Sequence, residues 1–267
     1  MLQVDLKALI RFLVQKLMRW YTPKQKKKFF NIVLKRFISK LPAALYQQAL
    51  ALVTTGQCAA ALIPLTRAIT LKHLPSRALL AWLMLDGRKG VARDRIGAFA
   101  LVNEGALLDC YHCKGVMADW YLGDWVCQKN EARLLELAQE SSANGSRYGT
   151  YVLARLHENG RGGLAQNKVK ATKFYQLAAE QNLDKAQHRL GCMYYDGVGV
   201  DRDHAEALRL YKLAAAQGNP WTLCGVAHIY LNGYGVPKNK AEAILWYMRA
   251  QEAGSQDAKY ALQRLRE

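Results

Sequence analysis

Residues 190–219 read "LGCMYYDGVGVDRDHAEALRLYKLAAAQGN", and residues 226–255 repeat the pattern as "VAHIYLNGYGVPKNKAEAILWYMRAQEAGS", 36 residues further on. Glycines recur at intervals of 36 or 37 residues along the chain, at Gly87, Gly123, Gly160, Gly197 and Gly233. A fixed period of about 20 to 50 residues is the signature of a solenoid of stacked units. The repeat therefore predicts an architecture before it predicts any chemistry.

Each unit carries the pattern of two helices joined by a glycine turn. In the first helix Leu190 and Tyr194 are four residues apart and lie on one apolar stripe. The glycines of "DGVGV" end this helix, because glycine adopts positive φ angles without strain. Asp203 is expected to cap the second helix, and Glu206 completes a capping box. Gly191 has no side chain, so we expect a neighbouring helix to approach closely there.

The two stretches resemble the Sel-1-like repeat family, a branch of the tetratricopeptide-like helical repeats. In the first stretch and the residues just before it, the resemblance rests on Ala186, Leu190, Gly191, Tyr194, Gly197, Gly199, Val200, Ala205, Ala207, Tyr211, Ala214, Ala215 and Gly218. In the second it rests on Tyr230, Gly233, Gly235, Val236, Ala241, Ala243, Trp246, Tyr247, Ala250 and Gly254. The resemblance is strongest over residues 147–255, extends over residues 43–146, and does not cover residues 1–42.

The resemblance implies an all-α fold, a right-handed α-solenoid of antiparallel helix pairs. We expect about six repeats of 36–37 residues and a C-terminal capping helix. The chain is accordingly divided into a basic amphipathic N-terminal helical segment, residues 1–42, and the repeat solenoid, residues 43–267. The family also implies a non-enzymatic scaffold or adaptor that binds other proteins.

Positive charge is concentrated at the front of the chain. The formal net charge is +17, and residues 1–85 hold 14 Lys or Arg against one acid, Asp5, which gives +13. Leucines at helical spacing among basic residues predict an amphipathic helix near the start. Charged residues interrupt this stretch, so it is not expected to be a secretory signal. The uncharged run 41–66 contains too many polar residues to be expected to span a membrane.

Three interpretations of the basic front remain open. It docks on an anionic membrane surface or an acidic protein, it binds nucleic acid, or it caps the first repeat with a solvated lysine face. No zinc-finger or RNA-binding signature supports nucleic acid. If the segment docks on an anionic surface, the residues expected to do so are Lys24, Lys26, Lys27 and Lys28.

The cysteines are the main candidates for metal or redox chemistry. The six cysteines share no regular spacing, which favours a reducing compartment over a disulfide framework. Cys110, His112 and Cys113 with Cys127 could supply four zinc ligands, but on a helix His112 points away from the two cysteines. A thioredoxin-type motif needs a strand–helix context that this chain lacks. We therefore predict packing residues, with no metal and no cofactor.

No arrangement of catalytic residues is evident, and the Gly-x-Gly loops follow helices, as turns do, rather than strands, as phosphate loops do. The sequence thus predicts no enzymatic activity and no small-molecule substrate. The first helix of each unit is expected to line the concave surface of the solenoid and to bind a protein or peptide with acidic character. Aligning the units places these predicted partner-binding residues on that surface: Lys114, Tyr151, Arg155, His188, Tyr195 and His228.

Two alternatives to a plain scaffold stay open. One is a peripheral membrane-associated adaptor that is anchored by its basic N-terminal helix. The other, implied only by the resemblance, is a toxin-neutralising protein of the immunity type. The expected location is the cytoplasm, with peripheral membrane association under the first alternative.

Overall fold

A computed structural model describes residues 23–88, 90–123 and 130–266, without the side chains of residues 23–38, Pro220 and Arg266. Over these ranges the chain forms thirteen helices and no strand. The amphipathic helix predicted before residue 23 lies outside the described residues. The uncharged run 41–66 is divided between two helices, and no helix in the described ranges has the length and apolar character needed to cross a membrane.

The helices form six consecutive pairs followed by one further helix. The pairs are α1 (Pro23–Thr54) with α2 (Cys58–Thr70), α3 (Leu74–Asp86) with α4 (Arg95–Leu107), α5 (Tyr111–Leu122) with α6 (Glu131–Ala143), α7 (Arg147–Asn159) with α8 (Lys168–Glu180), α9 (Asp184–Asp196) with α10 (His204–Ala216), and α11 (Pro220–Asn232) with α12 (Lys240–Glu252); α13 (Gln256–Arg266) follows. Each helix packs mainly on its neighbours in the chain. The predicted solenoid of six repeats with a capping helix is confirmed.

The first helix is much longer than the others. It has 32 residues, includes Pro42, and runs through the boundary predicted between residues 42 and 43. That boundary therefore lies within one continuous helix. The division into a basic segment and a solenoid remains a prediction about charge and partners.

Glycine turns and side-chain caps set the helix ends. Gly87, Gly160, Gly197 and Gly233 all end the first helix of a unit in the left-handed conformation, as their spacing predicts. Gly123 differs, because its backbone is extended, with a φ of −75°. The helix that it ends is one residue shorter than the other four. The second helices begin at the predicted caps: the Asp203 carboxylate accepts a hydrogen bond from the N–H of Glu206, and the next unit repeats this bond at Asn239.

The second helix of a unit packs closely against the first helices of its own and of the next unit, and in the fifth unit a tyrosine makes this contact. The buried ring of Tyr211 lies between Gly191 of α9 and Gly225 of α11. A Cβ on Gly191 would lie 2.6 Å from Cε1 of Tyr211, and one on Gly225 would lie 2.9 Å from Cε2. Only residues without side chains fit at these two points, so the predicted close approach at Gly191 is confirmed.

The solenoid curves until its first pair meets its fifth. The turn after α1 lies against the end of α10, where a Cβ on Gly56 would be 2.7 Å from the carbonyl oxygen of Ala216. Next to this contact the guanidinium of Arg88 donates to Asp184 at 2.6 Å. Asn219 donates to the same carboxylate at 2.7 Å. All three side chains of this ionic network are buried. Arg88 precedes Asp184 by 96 positions, and Asn219 follows it by 35.

Replacing Gly191 by leucine should destabilise the protein by about 1–3 kcal/mol, because the new side chain must displace the ring of Tyr211. The measurement is the free energy of unfolding by chemical denaturation. Ala241→Leu, at an exposed position of α12, is the matched control and should change stability by less than about 0.5 kcal/mol. Equal stability of the two variants would mean that the helices are packed differently.

Replacing Asp184 by asparagine should cost on the order of 3 kcal/mol at neutral pH, because it leaves the buried Arg88 cation without its nearest carboxylate. Burial raises the pKa of Asp184, but Arg88 and Asn219 outweigh it and hold the pKa below its usual value. Stability from this ionised group is therefore present above about pH 4 and is lost as the pH falls through the lowered pKa.

The difference between wild type and Asp184→Asn should accordingly shrink on acidification. The control is Glu136→Gln, which breaks the exposed pair with Arg133 and should cost less than about 1 kcal/mol. A cost at Asp184 no larger than the cost at Glu136 would contradict the role given to the buried pair.

Candidate functional site

A groove of about 410 Å³ crosses the first helices of successive units. It is lined by Asp86 of α3, Asp119 and Leu122 of α5, Tyr151 and Arg155 of α7, Lys185, His188 and Arg189 of α9, and Trp221 of α11, with Arg93 and Gly123 from the turns. Stacking the units side by side is what brings these residues together. Three of the predicted partner-binding residues, Tyr151, Arg155 and His188, lie in this groove.

Lys185 is the most interconnected cation in the groove. Its Nζ lies 3.1 Å from Asp86, 3.4 Å from Asp119, and 4.0 Å from the centroid of the Trp82 ring. Burial lowers the pKa of Lys185, but the carboxylates of Asp119 and Asp86 outweigh it and raise the pKa above its ordinary value. Lys185 is therefore charged, and it forms ion pairs with both acids that line the groove.

The other groove cations have different partners. Arg189 pairs with Glu158, which also accepts a hydrogen bond from the Tyr175 hydroxyl at 2.5 Å. Arg155 donates to the Tyr151 hydroxyl at 3.2 Å, and within the described ranges no carboxylate lies within ion-pairing distance of it. Arg155 is thus a groove cation whose charge is not matched by a local ion pair.

Neutral groups complete the surface. Burial, with a further effect of Arg189, lowers the pKa of His188 to about 4, so this imidazole is uncharged at neutral pH. Trp221, in the first turn of α11, is 57% exposed although it is the largest side chain in the groove. The Nε atom of Arg155 and the Nδ1 atom of His188 are buried and, over the described part of the chain, have no hydrogen-bond partner.

Two further predicted residues lie at a second cavity of about 320 Å³ near the C-terminal end. Tyr195 and His228 line it, and the Tyr195 hydroxyl lies 3.0 Å from Nδ1 of His228. The cavity is also lined by Tyr211, Tyr247 and Asp257. The predicted set is therefore divided between two cavities rather than gathered in one.

Lys114 lies in neither cavity. Its ammonium forms ion pairs with Asp109 and Glu140. The sequence alignment placed Lys114 in register with Tyr151 and His188, but it is the fourth residue of its helix and they are the fifth of theirs. The cause is the shorter α5, which moves Lys114 by one position when units are aligned on their glycines.

The remaining predicted sites receive no test from the structure. Lys24, Lys26, Lys27 and Lys28 lie in α1, but their side chains are not among those described. Cys127 lies outside the described residues as well. Among the residues that the structure describes, no three His, Cys, Asp or Glu side chains are grouped as metal ligands.

The sequence did not indicate several of the groove residues, namely Asp86, Arg93, Asp119, Lys185, Arg189 and Trp221. For two of them the sequence did contain a signal. Lys185 and Trp221 are both the second residue of a first helix, so aligning the units places them at equivalent positions. The contribution of Asp86 and Arg93 depends on the curvature of the solenoid, which the repeat pattern does not specify.

Known proteins show the same architecture. A protective antigen of uropathogenic Escherichia coli, c5321, is 21% identical and superimposes with a TM-score of 0.53 over 87% of this chain and 50% of its own. The chain thus spans about half the length of that antigen. A Sel1 repeat protein from Oxalobacter formigenes is 20% identical, with a TM-score of 0.53 over 82% of this chain and 86% of its own. Identities this low show the fold alone.

No curated protein is significantly similar in sequence to the chain. The Sel1 repeat family matches residues 75–110, 148–183, 184–219 and 223–255, which together exceed half of the chain. The chain therefore belongs to the Sel1 repeat family, whose members are generally protein-interaction scaffolds.

Proposed function

We propose that this protein is a non-enzymatic adaptor that binds a peptide segment of a protein partner in the groove between α3 and α11. The observation that carries the proposal is the groove itself, because five first helices contribute to it and an exposed tryptophan forms part of its wall. An extended surface built from successive repeats is the usual binding surface of a solenoid.

Trp221 is the expected anchor of the partner. Tryptophan is enriched among the residues that dominate binding energy, because its large rigid surface loses little conformational entropy on binding. Trp221 leaves 57% of its surface open to solvent beside the half-buried His188 and Arg189 of the preceding unit. Covering this ring would remove apolar surface from water without any rearrangement of the helices.

Electrostatics favour a partner segment with acidic character. Lys185 is paired with Asp86 and Asp119, and Arg189 is paired with Glu158, whereas Arg155 has only a tyrosine hydroxyl as partner in the described structure. A carboxylate of the partner would pair with the half-buried guanidinium of Arg155. The groove would then supply both an apolar anchor and a charge-assisted hydrogen bond.

Trp221→Ala should weaken partner binding by about 2 kcal/mol or more, roughly 30-fold in Kd. The partner is isolated with the intact protein, purified, and titrated by calorimetry against wild type and variant. Tyr260→Ala removes an aromatic ring that is 63% exposed on α13, outside the groove, and is the matched control. Equal affinities for wild type and Trp221→Ala would place the binding surface elsewhere.

A second proposal concerns the basic front. We propose that it docks the adaptor on an anionic surface, either a membrane or an acidic protein, from the cytoplasmic side. The supporting observation is that residues 6–85 contain no acid at all. Each Lys or Arg near an anionic bilayer contributes about 1 kcal/mol.

Replacing Lys24, Lys26, Lys27 and Lys28 by glutamine should lower binding to anionic liposomes at least about tenfold at low salt. The parent's binding should fall as salt rises, because the Debye length decreases from about 10 Å at 0.1 M to about 3 Å at 1 M. Flotation with phosphatidylserine vesicles measures both effects, and neutral vesicles are the control. Equal flotation of parent and variant would show that these lysines only form a solvated face.

A further inference from the structure

Cys110 and Cys113 are placed at the N-terminus of α5 so that their sulfur atoms can join. Cys110 is the N-cap and Cys113 is the third residue of the helix. Residues three apart in a helix have Cα atoms about 5 Å apart, within the range of about 4.4–6.8 Å that disulfides span. The two thiols are close enough for each to affect the pKa of the other. A bond between them therefore requires rotation of the side chains and no movement of the helix.

The environment gives the two sulfurs different acidities. The hydrogen bond from the Cys113 thiol lowers the pKa of Cys110 to about 7, against the effect of burial, and the N–H groups of Cys113 and His112 and the charge of Arg77 act in the same direction. That same hydrogen bond, together with burial, raises the pKa of Cys113. Near neutral pH Cys110 is therefore the sulfur that ionises, beside a Cys113 thiol.

The surroundings select a small oxidant. Cys110 is 5% exposed and Cys113 is fully buried. The sulfur of Cys113 lies against Gly105 of α4, where any side chain would collide with it, and 3.8 Å from the carbonyl oxygen of Leu74. A hydroperoxide can reach Cys110 through such a narrow opening, whereas a bulky disulfide such as oxidised glutathione is hindered.

We propose that Cys110 and Cys113 form a redox-active dithiol that hydroperoxides oxidise to an intramolecular disulfide. With hydrogen peroxide, the Cys110 thiolate attacks one peroxide oxygen and the O–O bond breaks. The leaving hydroxide takes up the proton that the Cys110 thiol had released and departs as water, which leaves a sulfenic acid on Cys110. The Cys113 sulfur then attacks the Cys110 sulfur and gives up its proton, and the sulfenic oxygen leaves as a second water. Overall, two thiols and one hydrogen peroxide give one disulfide and two waters.

Tryptic mapping of the full-length protein tests this directly, because cleavage after Arg95 and Lys114 releases residues 96–114, which contain these two cysteines and no other. After treatment of the reduced protein with hydrogen peroxide, this peptide should lose two hydrogen atoms in mass and regain them with dithiothreitol. The oxidation should be at least about tenfold faster than that of Cys192, whose pKa is raised by burial. Oxidised glutathione should react more slowly than peroxide.

Single variants separate the two roles. In Cys113→Ser a sulfenic acid should persist on Cys110 and be trapped by dimedone, whereas Cys110→Ser should leave Cys113 reduced at the same dose. The proposal is overturned if residues 96–114 of the wild type keep both thiols while Cys192 or Cys224 is oxidised. It is equally overturned if Cys113 reacts at the wild-type rate without Cys110. The wild-type measurement does not depend on how well the variants fold.

Discussion

The close packing of each second helix between the first helices of two successive units is the constraint on which the rest of the structure depends. A single helix pair cannot bury its apolar faces alone, so each unit needs its neighbours. Tyr211 fills the space between two units, and it fits because Gly191 and Gly225 present no side chain to its ring. Similar contacts with Ser141 occur at Gly115 and Gly149 two units earlier. The spacing between first helices is therefore fixed along the chain, and with it the width of the groove that they line.

The groove is held open by ionic contacts between residues far apart in sequence. Arg88, Asp184 and Asn219 join the second, fifth and sixth units in a buried network, and Lys185 connects α9 to the acids of α3 and α5. Such pairs add little net stability over apolar residues of the same size, but breaking one leaves a buried charge. Their placement suggests that they fix the curvature of the solenoid. A groove of fixed curvature is preorganised for a partner, which lowers the entropic cost of binding.

The sequence predicted most of the fold, because helix pairs, glycine turns and capping boxes are encoded within about 36 residues and recur. The left-handed glycines and the caps at Asp203 and Asn239 were read directly from that pattern. The length of α1 was not, because the resemblance to the repeat family begins only at residue 43, whereas the helix runs through that point from Pro23. The position of Lys114 in its helix was also misassigned. Because α5 is one residue shorter, aligning the units on their glycines matches Lys114 with residues one position later in the other helices.

Much of the candidate groove could not be predicted, because it depends on curvature rather than on local pattern. Hydroxyl-radical footprinting of the protein, free and bound to its partner, tests the central claim most directly. Labelling of Trp221, which is 57% exposed in the free protein, should fall in the complex, while labelling of Ile96 and Leu107 on α4, which are 86% and 80% exposed, should not change. Protection of Ile96 and Leu107 with unchanged labelling of Trp221 would contradict it.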